Sequence, residues 1–191
     1  FVHVDVFANT RLEGNGLVVV FAEDGALSPE DMLDLAREFK QFETAFVLKY
    51  EKGMAATRIF TVQEELPFAG HPILGAAAAL HQRFHPEEPS AEITFSLCEK
   101  TVPVRSSRTE TGFHVEMAQG EPVFLGGIPR AEAAWMAFAH HLSPDDLDTS
   151  LPMEVVTTGL PYLLIPVRGG LKPARITVPA LREHTPPHAG S

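Results

Sequence analysis

The chain is predicted to be an α+β protein in which β-strands surround one central apolar helix. Three observations predict this. The stretch Ile73 to Leu80 carries no charge on any face, so other structure must enclose it. Apolar strand-like segments lie on both sides of it in sequence. Within it, Ala76 to Ala79 are four consecutive alanines, small enough for strands to come close on every side.

Composition limits the alternatives. The 191 residues are 45% hydrophobic and 21% charged, ordinary globular proportions, enough for one large domain or two small ones. The net charge is −10 with no Lys/Arg cluster, which argues against nucleic acid and anionic membrane surfaces as partners. No run of about 18 apolar residues occurs to span a membrane. One cysteine, Cys98, provides no disulfide framework, so a reducing cytoplasm is expected. In its apolar segment Cys98 reads as a packed residue. Phe1 is not an initiator Met, and the start of the chain is expected to be missing.

From Phe1 to Ala8 the valines Val2, Val4 and Val6 alternate with polar residues, the period of a strand. Leu17 to Ala22 is a second strand, continuously apolar and therefore buried on both faces. Gly14-Asn15-Gly16 between them reads either as a tight connection or as a ligand-contacting loop. Ser28-Pro29-Glu30-Asp31 is a helix start, and Leu33, Leu35, Ala36 and Phe39 give that helix one apolar face. Gln41 to Leu48 enters a strand, and Ala55 to Val62 is another, with Arg58 facing water. Glu64 and Glu65 read as solvated loop charges. The central helix is expected over 72–84, with Pro72 in the first helical position. His81 and His85 near its end are expected to interact with the partial negative charge there. Ile93 to Leu97, Thr101 to Arg105 and Thr111 to Met117 form a β-meander. Residues 1–117 thus make a first domain.

The Gly/Pro-rich stretch 118–129 reads as a crossover into a second unit, 118–191. There Arg130 to His141 is a helix with Trp135, Met136 and Phe138 in the core, and Met153 to Thr157 and Tyr162 to Arg168 are strands. The proline-rich tail ending in PPHAGS reads as unstructured.

Two features carry chemistry. Glu43 sits among Phe42, Ala45 and Phe46, company that disfavours a charged carboxylate and suits proton transfer. By residue type alone, Glu43 is expected to point to solvent at the strand's edge. The Gly70-His71-Pro72 helix start reads as an ordinary core-helix entry, or as an anion site built from free N–H groups.

A weak internal repeat links residues 14–20 to 159–165. In the first copy 54 residues separate Gly16 from Gly70, whereas 30 remain after Pro161. The second copy is expected to stop before its own central helix. Uncovered strand edges in such a unit favour a homodimer.

Taken together, VDVFANTRLEGNGLVVVF, FETAFV, RIFTVQEELPFAGHPILGAAAAL and VVTTGLPYLLIPV resemble the PhzF family of phenazine-biosynthesis-like isomerases, in order and spacing, from Phe1 to about Arg168. The resemblance implies a diaminopimelate-epimerase-like fold, with two similar domains each wrapping mixed strands around a central helix and the second incomplete here. It places the family's general acid/base glutamate on Glu43 and its substrate-binding Gly-His pair on Gly70 and His71, with Asn15 of the glycine turn as a further binding residue. It implies no metal or organic cofactor and a small unsaturated carboxylic acid as substrate. Two departures stand out. The family has Gly-Asn-Pro where this chain has Gly14-Asn15-Gly16. Its second-domain Asp-Pro-Ala-Thr-Gly-Ser motif, source of a catalytic Asp and a binding Ser, has no counterpart here. The two functional readings are therefore a proton-transfer isomerase, and an inactive truncated pseudoenzyme or small-molecule-binding module.

Overall fold

The computed structural model describes residues 1–22, 25, 27–98, 100–159, 161–171, 174 and 175. The chain divides into two compact units, 1–119 and 120–191.

In unit 1, β1 (Val2–Val6), β2 (Asn15–Phe21), β3 (Thr44–Glu51), β4 (Met54–Phe60), β5 (Glu65–Leu66), β6 (Ser90–Ser96), β7 (Thr101–Arg108) and β8 (Phe113–Met117) share one sheet. Its order is β1-β2-β3-β4-β6-β7-β8, with β5 attached to β4. The β2–β3 and β4–β6 pairs are parallel. Parallel neighbours need a crossover, and the two helices supply them: α1 (Pro29–Phe39) joins β2 to β3, and α2 (Gly70–Phe84) lies between β4 and β6.

The helices take opposite faces because side chains alternate along a strand. Ala45 and Val47 join Leu17, Val19, Ile73, Ala76, Ala77 and Leu80 in the inner core. Phe46 points the other way, to Met32 and Ala36 of α1 and to Phe60. Helix α2 packs against β1, β2, β3, β6, β7 and β8. A Cβ on Gly75 would run into the side chains of Leu17 and Val6, so small residues on α2 are what admit the strands. The sheet is a half-barrel: β1 and β8 do not pair, and a cleft of about 350 Å³ lies along Val4, Val6, Gly75 and Val115.

Several expectations change on the structure. Helix α2 starts at Gly70, with Ala69 as its extended N-cap. Pro72 is the third residue, where an N–H would still lack an intrahelical acceptor, and His71 becomes helical. Arg58 is partly exposed and makes a two-pronged ion pair with Glu65, so Glu65 is not simply a solvated loop charge. Cys98 is exposed, because it lies past the end of β6 in the turn to β7.

The His81 ring finds its partners outside the helix end. It is fully buried, with Nε2 3.0 Å from the Glu88 carbonyl and Nδ1 2.9 Å from Ser106 Oγ. A carbonyl only accepts, so Nε2 donates to Glu88, while Nδ1 is hydrogen-bonded to the Ser106 hydroxyl. His85 bonds Tyr50 Oη at 2.7 Å and the Glu88 carboxylate at 2.8 Å. Burial, then the Glu88 charge, raise the Tyr50 pKa and keep its hydroxyl a donor.

Helix α1 follows expectation. The Ser28 side chain accepts from the Asp31 N–H, and the Asp31 carboxylate accepts from the Ser28 N–H. Thr44 on the outer row is fully buried, and its Oγ1 has no hydrogen-bond partner among the described residues. A buried unpaired hydroxyl costs about 1–3 kcal/mol. Thr44→Val is therefore expected to stabilise the chain by about 1 kcal/mol, read as a higher urea midpoint. A lower midpoint would mean the hydroxyl contributes a bond.

Unit 2 holds β9 (Val123–Gly127), β10 (Glu154–Thr157) and β11 (Pro161–Leu164) in one antiparallel sheet, with β10 central. The stretch read as a crossover thus contains a strand. The expected helix 130–141 is shorter: a 3₁₀ turn over Arg130–Glu132 leads into α3 (Ala133–Ala139). Met136 is buried, but Phe138 is 74% exposed and not core, since it lies two positions further round the helix. The PPHAGS tail lies outside the described residues. No helix among the described residues is long and apolar enough to cross a membrane.

Candidate active site

Three inward-facing rows end where α2 begins. The row Val47–Ala45 of β3 continues to Glu43, and the row Val19–Leu17 of β2 to Asn15. The row Val115–Met117 of β8 continues to Gln119. The Val18–Thr44 pairing holds the starts of β2 and β3 level. Each row is apolar along the helix and turns polar at its start.

Glu43 Oε2 and His71 Nε2 face each other at 3.3 Å, with the side chains 19% and 12% exposed. The distance suits an ion pair, yet neither atom makes a hydrogen bond among the described residues, and both are closed to solvent. Unsatisfied buried polar atoms are uncommon and call for a functional or energetic explanation. Burial is the larger influence on His71 and holds its pKa below the ordinary 6.5, partly opposed by the Glu43 carboxylate. The ring is neutral near pH 7.

The unfolded chain takes up the His71 proton near the ordinary value and the folded chain resists it. The resulting contribution to stability is full above about pH 6.5 and declines as the pH falls through the folded value. An NMR titration of the imidazole is expected to give a midpoint below 6.5, and Glu43→Gln is expected to lower it further by removing the opposing charge. A wild-type midpoint above 6.5 would mean the ion pair dominates.

The N-cap residue of α2, Ala69, makes no side-chain cap bond, in contrast to the Ser28 box on α1. The Gly70 and His71 N–H groups stand at the positive end of a 15-residue helix whose N-cap residue offers no side-chain acceptor, a place suited to a carboxylate. The point a Gly70 Cβ would occupy lies 3.4 Å from Gln119 Nε2 and 3.7 Å from Met117 Cε.

Both readings of residues 14–16 can be placed. Gly14 has φ +72° and its Cβ would strike the Val6 carbonyl, so the tight connection is real. Asn15 is exposed at the first position of β2, paired with Val6. It shares the end of the sheet with Glu43, but no hydrogen bond joins it to Glu43 or His71 among the described residues. No group of three or more His, Cys, Asp or Glu among the described residues is placed to hold a metal ion.

The family model for phenazine biosynthesis-like proteins, PhzC-PhzF, matches residues 4–179. The chain belongs to this family. It is 35% identical over 159 residues to the trans-2,3-dihydro-3-hydroxyanthranilate isomerase of Pseudomonas chlororaphis, covering 80% of this chain and 57% of that protein. It is 30% identical over 166 residues to the uncharacterized isomerase YddE of Escherichia coli O157:H7, covering 87% and 55%. Among solved structures, a predicted epimerase of Pseudomonas aeruginosa superposes with a TM-score of 0.79 at 42% identity, over 95% of this chain and 65% of that one. The PhzF-family phenazine biosynthesis protein of Bacillus anthracis gives 0.74 at 31%, over 87% and 55%. This PhzF-family chain thus has relatives named as isomerases and spans a little over half the length of those curated relatives. The expected α+β fold with strands around a central helix stands.

Of the sequence-derived site residues, the structure brings Glu43, Gly70 and His71 to one spot and Asn15 to the same end of the sheet. Gln119 was not foreseen. The alternation of Phe113, Val115 and Met117 extends to it, but without β8's pairing the stretch after 117 reads as a loop.

Proposed function

We propose that this chain carries a proton-transfer site of an isomerase acting on a small unsaturated carboxylic acid, by general acid/base catalysis without a cofactor. The observation that carries the reading is the Glu43–His71 pair: a nearly buried carboxylate facing a neutral imidazole at a helix start whose N-cap residue makes no side-chain bond. The α2 N–H groups and His71 bind the substrate carboxylate. Glu43 takes a proton from one carbon: the C–H bond breaks, an O–H bond forms, and the electron pair moves along the double bond. Glu43, whose O–H exchanges with solvent while it holds the proton, then delivers a proton to a different carbon, so nothing is oxidised or reduced. Asn15 lines the approach at the start of β2. The family relationship and the relatives named as isomerases support the reaction class. The full reaction belongs to proteins longer than the matched region.

The test is incorporation of deuterium from D₂O into trans-2,3-dihydro-3-hydroxyanthranilate, followed by mass spectrometry with the 191-residue chain. Exchange above the uncatalysed rate supports the reading. Saturable binding with no exchange would favour the small-molecule-binding module instead.

A further inference from the structure

The site contains one polar side chain that the proposed reaction does not use. Gln119 lies two residues past the end of β8, close behind backbone that β7 still holds. Val104 pairs with Met117, and the Ala118 N–H donates to the Pro103 carbonyl at 3.4 Å. Backbone bonding to β7 therefore reaches Ala118, one residue past the end of β8.

Gln119 Nε2 lies 3.4 Å from the position of a Gly70 Cβ, so an atom resting on the Gly70 backbone touches the carboxamide. Gly70 has no positive φ demanding glycine. What the missing side chain leaves open is the space beneath Gln119. Met117 Cε, at 3.7 Å, gives the same space an apolar wall.

We propose that the Gln119 carboxamide is a substrate-binding residue, donating an N–H to the carboxylate held at the start of α2 and selecting a carboxylate over an uncharged acyl group. The inference rests on the carboxylate-binding reading of that helix start. A neutral donor suits the position. The helix end already supplies partial positive charge, and Glu43 nearby can remain a proton acceptor without a fixed cation holding it. A hydrogen bond from a neutral amide to a carboxylate is one of the stronger kinds. The geometry also predicts its direction: Glu at the same position would present an acceptor to an acceptor.

The experiment is an NMR titration of the 191-residue chain with cyclohex-1-ene-1-carboxylate and, separately, its carboxamide, following the backbone amides of Gly70 and His71. Wild type is expected to show saturable shifts with the carboxylate and weaker ones with the carboxamide. Gln119→Ala should weaken the carboxylate about tenfold and the carboxamide much less. Gln119→Glu should weaken the carboxylate further and retain the carboxamide, reversing the preference. Gln119 is exposed, so neither change disturbs the core. If both variants bind the carboxylate as wild type does, or Gln119→Ala weakens both ligands equally, the inference fails and the proposed site stands. If the carboxylate moves neither Gly70 nor His71 in wild type, the carboxylate-binding reading fails and takes the inference with it.

Discussion

Glu43→Gln is expected to lower deuterium exchange roughly 100- to 10,000-fold, the range a positioned acid/base group contributes, while the fold is kept. The amide has the shape of the carboxylate but cannot take up the proton. Stability should hold because Glu43 Oε2 makes no hydrogen bond that the change would break. The substitution also removes a mostly buried charge, which favours the folded state. Exchange rate and thermal midpoint are measured together. A variant that keeps a tenth or more of the rate removes Glu43 from the mechanism. A variant that loses rate and melting temperature together has lost structure and not chemistry.

Gly14→Ala is expected to destabilise unit 1 by about 3 kcal/mol, combining the left-handed backbone cost for a residue with a Cβ with overpacking. The new Cβ would meet the Val6 carbonyl oxygen and, at 3.0 Å, the Phe7 carbonyl group. These are backbone atoms of β1 and its turn, and they cannot rotate aside. The loop has little slack, since Phe7 and Leu12 already hold positive φ angles of 59° and 65°. The Leu12 N–H is tied to the Asp5 carboxylate at 2.8 Å. Total stabilities are about 5–15 kcal/mol, so the urea midpoint should fall visibly. Gly16→Ala is the control. Its Cβ would meet mainly the end of the flexible Gln41 side chain, and the cost should be well under half. Equal losses at both positions would mean that the loop, and not the Val6 contact, sets the requirement.

The sequence by itself determined the inside of this protein. A helix with no charged face and four alanines can only be enclosed, and α2 is enclosed on its sides by six strands. Local chemistry also fixed the α1 cap, because Ser28 and Asp31 satisfy each other within one turn. The motif order led to Glu43, Gly70 and His71, but it gave no reason for a carboxylate and an imidazole to meet. That meeting is tertiary. It requires the parallel β2–β3 pairing, the inward parity of residue 43 and a helix that starts two residues before its proline.

The misread polar residues have the same cause. Arg58 and Glu65 look solvated until β5 folds back on β4. His81 looks like a partner of the helix end until Ser106, from a strand 25 residues later, arrives beside it. Cys98 looks buried until the strand ends before it. Gln119 belongs here too: it reads as a loop residue in sequence, and only the assembled fold sets it beside Gly70. Apolar periodicity is a property of neighbouring residues, so one strand or helix carries it alone. The partner of a polar group comes from another element, so only the assembled sheet and helix decide whether that group is solvated, satisfied or left facing a ligand.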